Sequence, residues 1–197
     1  MPKYNIVAGV DEVGRGSLAG PVFAAAVILN HDIDIKNIKD SKKIPFEKRI
    51  LLSEYIKENS IYAIGISSVS EINKINILNA SLLSMERALN KLKYKPKLAY
   101  IDGIFAPKNT KIKCKTFIKG DEKISCISAA SIVAKVARDL FMIGLAKKYP
   151  NYKWNKNFGY GTRDHLSGLK KYGITKHHRR TFKPIHNILI TSSRETL

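Results

Sequence analysis

The sequence contains little cysteine, and the two residues present do not form a metal-binding motif. Cys114 and Cys126 are the only cysteines among 197 residues, and their spacing does not match a CxxC pair. A disulfide-stapled scaffold or a structural zinc site would need more cysteines at closer intervals. The composition therefore favours a reducing compartment, and we expect the protein to be cytoplasmic.

Long apolar runs are also absent. The first residues, MPKYNIVAGVDEVG, reach two acids before any stretch of signal-peptide length. No window approaches the roughly 18 uninterrupted apolar residues that a membrane-spanning helix requires. We therefore expect neither secretion nor membrane insertion.

Acidic residues are scarce relative to basic ones. The chain has 35 Lys and Arg against 16 Asp and Glu, which gives a formal net charge of +19. Such an excess attracts polyanions, and nucleic acid is the leading candidate partner. A lysine-rich composition can equally serve solubility alone, so charge by itself leaves both interpretations open. The length suits one core, and we predict a single domain over residues 1–184 followed by a short tail over residues 185–197.

Two of the scarce acids lie at the end of an apolar run near the N-terminus, in IVAGVDEVGRGSLAG over residues 6–20. The run has the composition of a buried strand. Asp11 and Glu12 would point to opposite faces of such a strand, so we expect the chain to turn at this pair. The glycines of the following GRG, Gly14 and Gly16, favour a turn, and Arg15 between them has donors suited to phosphate. For this stretch alone, a solvated turn is the plainer alternative.

The same pattern of an apolar run ending in an acid and a glycine recurs at Asp102. Apolar runs and helical periodicity predict strands over residues 21–29, 61–67, 98–101 and 111–118, and helices over residues 46–57, 70–93, 124–149 and 163–172. If the first and fourth strands are parallel neighbours, Asp11 and Asp102 emerge side by side at the sheet edge where α/β proteins bind ligands. Asp121 precedes the alanine-rich helix, where it can cap the helix or ligate an ion.

A group of carboxylates without histidine or cysteine partners predicts a hard, oxygen-ligand metal site. Magnesium and manganese are the ions that such ligands prefer. Two ions about 4 Å apart could bridge these acids to a phosphate backbone and activate a water molecule for hydrolysis. His165, His177 and His178 lack metal-ligand spacing, and we expect them at the surface. We expect Asp139, in the middle of a helix, on a solvated or salt-bridged face.

Two further positions suit contacts with nucleic acid. Lys42 lies in DSKK, a segment before a helix, from which an ammonium can reach a phosphate, although a solvated surface lysine is the alternative. Tyr160 lies between two glycines in a loop that mixes aromatic and basic residues over residues 149–162. Such a ring can pack against a base or a sugar.

In order along most of its length, the chain resembles the ribonuclease HII family. The blocks that carry the resemblance are GVDEVGRGSLAGPV, DSKK, NILNASLLSMERAL, YIDG, KGD, SAASIVAKVARD, GYGT and HRRTFKP. The resemblance implies an α/β, ribonuclease H-like fold with a five-stranded mixed sheet flanked by helices. It implies endonucleolytic cleavage of RNA in RNA-DNA hybrids and at single ribonucleotides in duplex DNA, leaving 5′-phosphate and 3′-hydroxyl ends.

Site roles follow from the same resemblance, position by position. The catalytic acids that hold Mn²⁺ or Mg²⁺, two ions during catalysis, correspond to Asp11, Glu12, Asp102 and Asp121. The substrate-binding positions correspond to Gly14, Arg15, Gly16, Lys42 and Tyr160. Of these, the GRG turn would contact the 2′-hydroxyl at an RNA-DNA junction and Tyr160 the deoxyribose beyond it.

Several alternatives stay open at this point. A ribonuclease HIII-type enzyme shares the fold but typically carries GKG where this chain has Arg15, together with a separate N-terminal domain. A nuclease of the same fold that acts on DNA junctions is a second alternative. A non-catalytic basic nucleic-acid-binding module is a third. The residues from Ile185 onward contain no recognisable docking peptide for a replication clamp, and we expect a monomer.

Overall fold

The structure is a computed structural model that describes residues 7–30, residue 33 and residues 45–194, with side chains described up to residue 190. These residues form two compact units. Unit 1 comprises the described residues within Met1–Val13, Phe23–Ile66 and Ser81–Ala137. Unit 2 comprises those within Gly14–Val22, Ser67–Ala80 and Arg138–Leu197.

The described strands are β1 (Val7–Val13), β2 (Val22–Leu29), β3 (Ser60–Ser67), β4 (Leu98–Asp102) and β5 (Lys113–Phe117). They form one five-stranded mixed sheet in the order β3-β2-β1-β4-β5. β1 is antiparallel to β2 and parallel to β4, and β4 is parallel to β5. The ribonuclease H-like fold class expected from the resemblance is thereby confirmed.

Helices follow most of the strands along the chain. None of the described helices is long and apolar enough to cross a lipid bilayer. They are α1 (Phe46–Glu58), α2 (Val69–Lys91), α3 (Gly120–Lys123), α4 (Ser125–Lys148), α5 (Trp154–Asn157), α6 (Arg163–Tyr172) and α7 (Lys183–Arg194), with a 3-10 turn at Pro150–Tyr152.

The core of unit 1 is built around β2, in which every residue is buried. Because side chains alternate across a strand, the strand contributes to two apolar clusters. Ala24, Ala26 and Ile28 share a cluster with α2 residues that include Leu89. Ala25, Val27 and Leu29 share the other with α4 residues that include Val133. A strand that is apolar on both faces is thus covered by helices on both sides, as its uninterrupted apolar sequence requires.

Helix α4 approaches β1 so closely that only a glycine fits at position 9. A Cβ atom at Gly9 would overlap the backbone of Cys126 and Ile127, at the first turn of α4. This contact fixes the helix against the strand that carries Asp11. The absence of one side chain therefore determines how α4 is placed relative to the acids of unit 1.

Strand β1 extends further than the sequence indicated. Asp11 and Glu12 pair with Ala25 and Ala24 of β2, so both acids lie inside the strand. The prediction that the chain turns at this pair is therefore wrong. The turn begins at Gly14, whose φ of 93° lies in the left-handed region that favours glycine.

The core of unit 2 collects apolar residues from the chain after β1 and from the C-terminal third. It includes Leu18, Met142, Trp154 and Leu169. Helix α7 adds Ile185, which is fully buried. The predicted boundary between residues 184 and 185 therefore falls inside a helix, and the division into one domain and a tail stays a prediction.

Candidate active site

Four acids from three elements of unit 1 line one cavity of about 290 Å³. β1 contributes Asp11 and Glu12, β4 contributes Asp102 at its last position, and the short helix α3 contributes Asp121. These are the four carboxylates that the sequence singled out. The structure thus brings together side chains that are more than 100 residues apart along the chain.

The parallel pairing of β1 and β4 places two of these acids beside each other. Val10 pairs with Ile101, one residue before Asp11 and Asp102 respectively. The first and fourth strands are thus parallel neighbours, which is the condition under which the sequence predicted that Asp11 and Asp102 emerge side by side. The acids meet because parallel strands present their carboxyl ends at the same edge of a sheet.

The turn into α3 brings Asp121 to the same cavity. Lys119 adopts a left-handed conformation with φ 53°, and the next residue, Gly120, donates its N–H to Asp102 Oδ1 at 2.7 Å. The Ser128 hydroxyl donates to the Asp121 backbone carbonyl. The residue before Asp121 thus donates the hydrogen bond that holds Asp102, which links the positions of the two acids.

Asp11 is a buried and hydrogen-bonded member of the four carboxylates. It is 6% exposed and accepts a hydrogen bond at 2.7 Å from the backbone N–H of Glu12. Burial raises the pKa of Asp11 well above its ordinary value, and the negative charges of Glu12 and Asp102 raise it further. A hydrogen bond from Ser131 acts in the opposite direction and lowers that pKa. Negative charge is crowded here, and a bound cation would relieve this crowding.

The chemistry of this donor set fits a divalent cation that prefers oxygen ligands. Within the part of the chain that the structure describes, no three His, Cys, Asp or Glu side chains are arranged to share one ion as they stand. Magnesium is commonly held by one or two carboxylates, with water and substrate phosphates completing its coordination. The four acids lining one cavity agree with that mode of binding more closely than with an all-protein cage.

The cavity is also lined by three polar residues that the sequence did not indicate: Arg49 of α1 and Ser131 and Lys135 of α4. Ser131 and Lys135 are four residues apart, so they lie on the same face of α4. That spacing is visible in SIVAK, but the sequence alone gave no indication that this face meets the acids. Helix α4 thus supplies polar side chains to the cavity as well as packing surface.

In unit 2, two buried arginines hold the backbone of residues 14–21, which we call the glycine loop. Arg138 donates from Nε to the carbonyl of Pro21 at 3.0 Å and from Nη2 to that of Ala19 at 3.1 Å. Arg179 donates from Nε to the carbonyl of Gly20 at 2.9 Å. Burial lowers the pKa of both guanidinium groups, that of Arg179 to about 9.

Tyr160 lies against this loop in the same unit. The backbone is tied in place because Gly159 O accepts hydrogen bonds from Leu18 N at 2.8 Å and from Ala19 N at 3.3 Å. The guanidinium of Arg138 lies 5.7 Å from the centre of the Tyr160 ring. A Cβ atom at Gly16 would lie 3.9 Å from that ring. The structure thus brings the GRG turn and Tyr160 close together within unit 2.

The prediction that His165 and His178 lie at the surface is wrong, because both are buried. Thr175 donates its backbone N–H to His178 Nδ1 at 2.8 Å, and the two imidazole Nε2 atoms lie 3.1 Å apart. His165 Nδ1 lies 2.9 Å from the carbonyl of Tyr160, to which it donates. Trp154 Nε1 donates to His165 Nε2 at 3.0 Å. These contacts assign a neutral tautomer to each ring, and burial lowers both pKa values, that of His178 to about 3.

Two other expectations from the sequence have different outcomes. Of the two placements expected for Asp139, a salt-bridged or a solvated face, the solvated one is wrong, because Asp139 is fully buried beside Arg138. Its negative charge raises the pKa of Arg138, against the effect of burial. His177 is partly exposed. Lys42 lies outside the described residues.

Comparison with known proteins gives a consistent assignment. A family model described as Ribonuclease HII matches residues 8–185. The ribonuclease HII of Pelagibacter ubique is 59% identical over 94% of this chain and 100% of its own length. That of Cereibacter sphaeroides is 50% identical over 94% of this chain and 88% of its own length. The crystal structure of ribonuclease H2 from Pyrococcus horikoshii OT3 superimposes with a TM-score of 0.79 at 27% identity, covering 95% of this chain and 99% of that one.

These matches cover nearly the whole chain and distinguish it from the ribonuclease HIII alternative and from a non-catalytic module. With its acids gathered at the carboxyl ends of β1 and β4, the chain belongs to the ribonuclease HII family and is an endoribonuclease of ribonuclease H type 2.

Proposed function

We propose that this enzyme cleaves the RNA strand of RNA-DNA hybrids and incises duplex DNA at single ribonucleotides, leaving 5′-phosphate and 3′-hydroxyl ends. The observation that carries the proposal is the convergence of Asp11, Glu12, Asp102 and Asp121 on one cavity. In a chain of net charge +19, these acids would repel a phosphate backbone unless cations lay between them.

The four acids are the proposed ligands of Mg²⁺ or Mn²⁺, with two ions present during catalysis. When bound, such ions activate a water molecule and stabilise the departing oxygen, so no protein nucleophile is needed. The chain's own contribution is to hold the ligands in place. The Ser131 hydroxyl orients Asp11, and the N–H of Gly120 orients Asp102.

Recognition of the ribonucleotide is proposed for the glycine loop and Tyr160. Only the 2′-hydroxyl distinguishes RNA from DNA locally, and backbone N–H groups of Gly14 and Gly16 are donors for it. Arg15 is exposed and suits a phosphate, and the Tyr160 ring suits the adjoining deoxyribose. A phosphate contact by Lys42 is proposed from the resemblance alone.

The setting of the reaction is proposed from the sequence. We propose a cytoplasmic monomer that acts on hybrid and ribonucleotide-containing duplexes. Low cysteine content and strong positive charge support that assignment. The residues from Ile185 onward supply no recognisable peptide for a replication clamp.

A substrate panel tests the proposed function. The full chain is incubated with Mg²⁺ or Mn²⁺ and three labelled duplexes of one sequence: an RNA-DNA hybrid, a DNA duplex with one ribonucleotide and an all-DNA duplex. We expect cleavage of the first two, with product ends that accept ligation as 5′-phosphates, and an intact third. Absence of cleavage would support a binding module, and cleavage of the all-DNA duplex would support a general nuclease.

Replacing Tyr160 by Ala should chiefly damage incision at the single ribonucleotide. The ring is 36% exposed and available for packing on a sugar, and loss of such stacking costs about 1–3 kcal/mol. We expect at least about a fivefold fall in kcat/KM on that substrate, measured by gel, with a smaller effect on the long hybrid. Tyr172→Ala, which removes an exposed tyrosine elsewhere in unit 2, is the matched control. Equal rates for Tyr160→Ala and the parent would remove the proposed role.

A further inference from the structure

Residues 14–17 of the glycine loop form a turn whose central peptide joins Arg15 to Gly16. Ser17 N donates to Gly14 O at 3.5 Å, which closes the turn. The two central residues are exposed, whereas Gly14 and Ser17 are buried. The central peptide is therefore the part of the loop that a ligand can approach.

The central peptide of such a turn has two alternative orientations. The common turn types I and II differ by a flip of this peptide, and the flipped form needs a positive φ at the third residue. Glycine at that position allows either form. Gly16 is not among the described glycines with positive φ, so the structure contains the unflipped orientation.

Arg179 fixes this orientation from beneath. Its Nη1 donates to the carbonyl of Arg15 at 2.8 Å. The guanidinium is itself held by its Nε bond to Gly20 O and lies 5.1 Å from the ring centre of Phe182. Because the peptide is trans, a carbonyl that points inward to Arg179 leaves the Gly16 N–H pointing the opposite way, toward the exposed side. No described residue accepts a hydrogen bond from that N–H.

We propose that Arg179 is a positioning residue for sugar discrimination: it holds the Arg15–Gly16 peptide in the orientation that directs the Gly16 N–H at the 2′-hydroxyl of the substrate. The inference rests on the proposed function, because it assigns to Arg179 the control of a contact that the glycine loop makes with ribose. Arg138 differs in this respect. Its hydrogen bonds go to the carbonyls of Ala19, Pro21 and Phe158 and not to the central peptide.

Lysine at position 179 would keep the positive charge but lose the planar fork that joins Arg15 O to Gly20 O. The peptide could then flip, which would turn a carbonyl oxygen toward the substrate in place of the N–H. The released peptide would hold neither its N–H nor its carbonyl in a fixed place for the 2′-hydroxyl, which can donate as well as accept, whereas contacts to phosphates are unaffected. The change should therefore reduce discrimination between ribose and deoxyribose without weakening duplex binding in general.

The experiment measures binding selectivity in an Asp102→Asn background, in which the duplex should stay uncut. Fluorescence anisotropy in Mg²⁺ gives the Kd for a duplex with one ribonucleotide and for the all-DNA duplex of the same sequence. We expect Arg179→Lys to lower the ratio of the two affinities about three- to tenfold, the size of one neutral hydrogen bond, with the Kd for all-DNA duplex unchanged. Arg180→Lys, which makes the same substitution at the next, exposed position, should keep the ratio.

The outcomes separate this inference from the proposed function. If folded Arg179→Lys keeps the parental preference for the ribonucleotide duplex, the proposed role of Arg179 is overturned and the proposed function is not. A parent without any preference overturns ribose recognition by the loop, and both proposals with it. If Arg179→Lys does not fold, the Gly16 amide resonance of the parent decides. If the Gly16 amide resonance shifts on binding the ribonucleotide duplex and does not shift on binding the all-DNA duplex, the proposal is supported. If the resonance is the same with both duplexes, the proposal is overturned.

Discussion

Replacing Asp102 or Asp11 by Asn is expected to abolish metal-dependent cleavage while duplex binding persists. An amide has nearly the shape of a carboxylate but not its charge, so it holds a divalent cation poorly. Asn at position 102 can still accept the Gly120 N–H at its side-chain oxygen, so the local backbone should be kept. Loss of several kcal/mol of charge stabilisation corresponds to at least about a thousandfold fall in rate.

The measurement is cleavage of the hybrid and of the single-ribonucleotide duplex in Mg²⁺ and Mn²⁺, beside anisotropy for binding. Asp164→Asn is the matched control, because it makes the same change of charge at an exposed position of α6. That variant should cut at the parental rate. Parental rates for both Asp11→Asn and Asp102→Asn would contradict the assignment of these acids as metal ligands.

Replacing Gly9 by Ala is expected to destabilise unit 1 severely. The added methyl group would overlap the backbone of Cys126 and Ile127, which cannot move aside as a flexible side chain could. Overpacking of a core costs about 1–3 kcal/mol, and a clash with backbone belongs at or above the upper end of that range. We expect a fall of this size in the free energy of unfolding, measured with urea, or failure to fold.

Gly144→Ala is the matched control, and we expect it to change the free energy of unfolding in the opposite direction. Gly144 is an exposed residue away from both ends of α4, and a Cβ atom there would meet no described atom within 4 Å. Alanine favours a helix over glycine by about 1 kcal/mol, so this variant should be slightly more stable than the parent. Equal stabilities of the two variants would show that the close approach at Gly9 does not constrain α4.

The elements that carry the acids were predictable because their signals are local. Uninterrupted apolar runs predicted β1, β2 and β4, and a parallel pairing of β1 with β4 was the stated condition for Asp11 and Asp102 to meet. Asp102 was found because an apolar run ends there in an acid and a glycine. The extension of β1 through Asp11 and Glu12 was missed, because pairing with β2 continues the strand where the local sequence indicated a turn.

The residues that were misplaced are those whose environment depends on distant segments. A histidine or an aspartate is usually exposed unless polar partners compensate for its burial. For His165 and His178 the partners include each other and the carbonyl of Tyr160. Burial of Asp139 beside Arg138 could not be inferred from an Arg-Asp dipeptide, which is equally common on a solvated helix face.

The sequence by itself determined the family, the apolar strands and the identity of the acids, because ordered motifs and local hydrophobic patterns carry that information. Only the tertiary structure decided that the carbonyls of the glycine loop turn inward to Arg138 and Arg179. Those hydrogen bonds join residues separated by 117 to 164 positions. The orientation of a peptide with glycine in it has no strong local preference, so it is set by the buried donors that the rest of the fold brings beneath it.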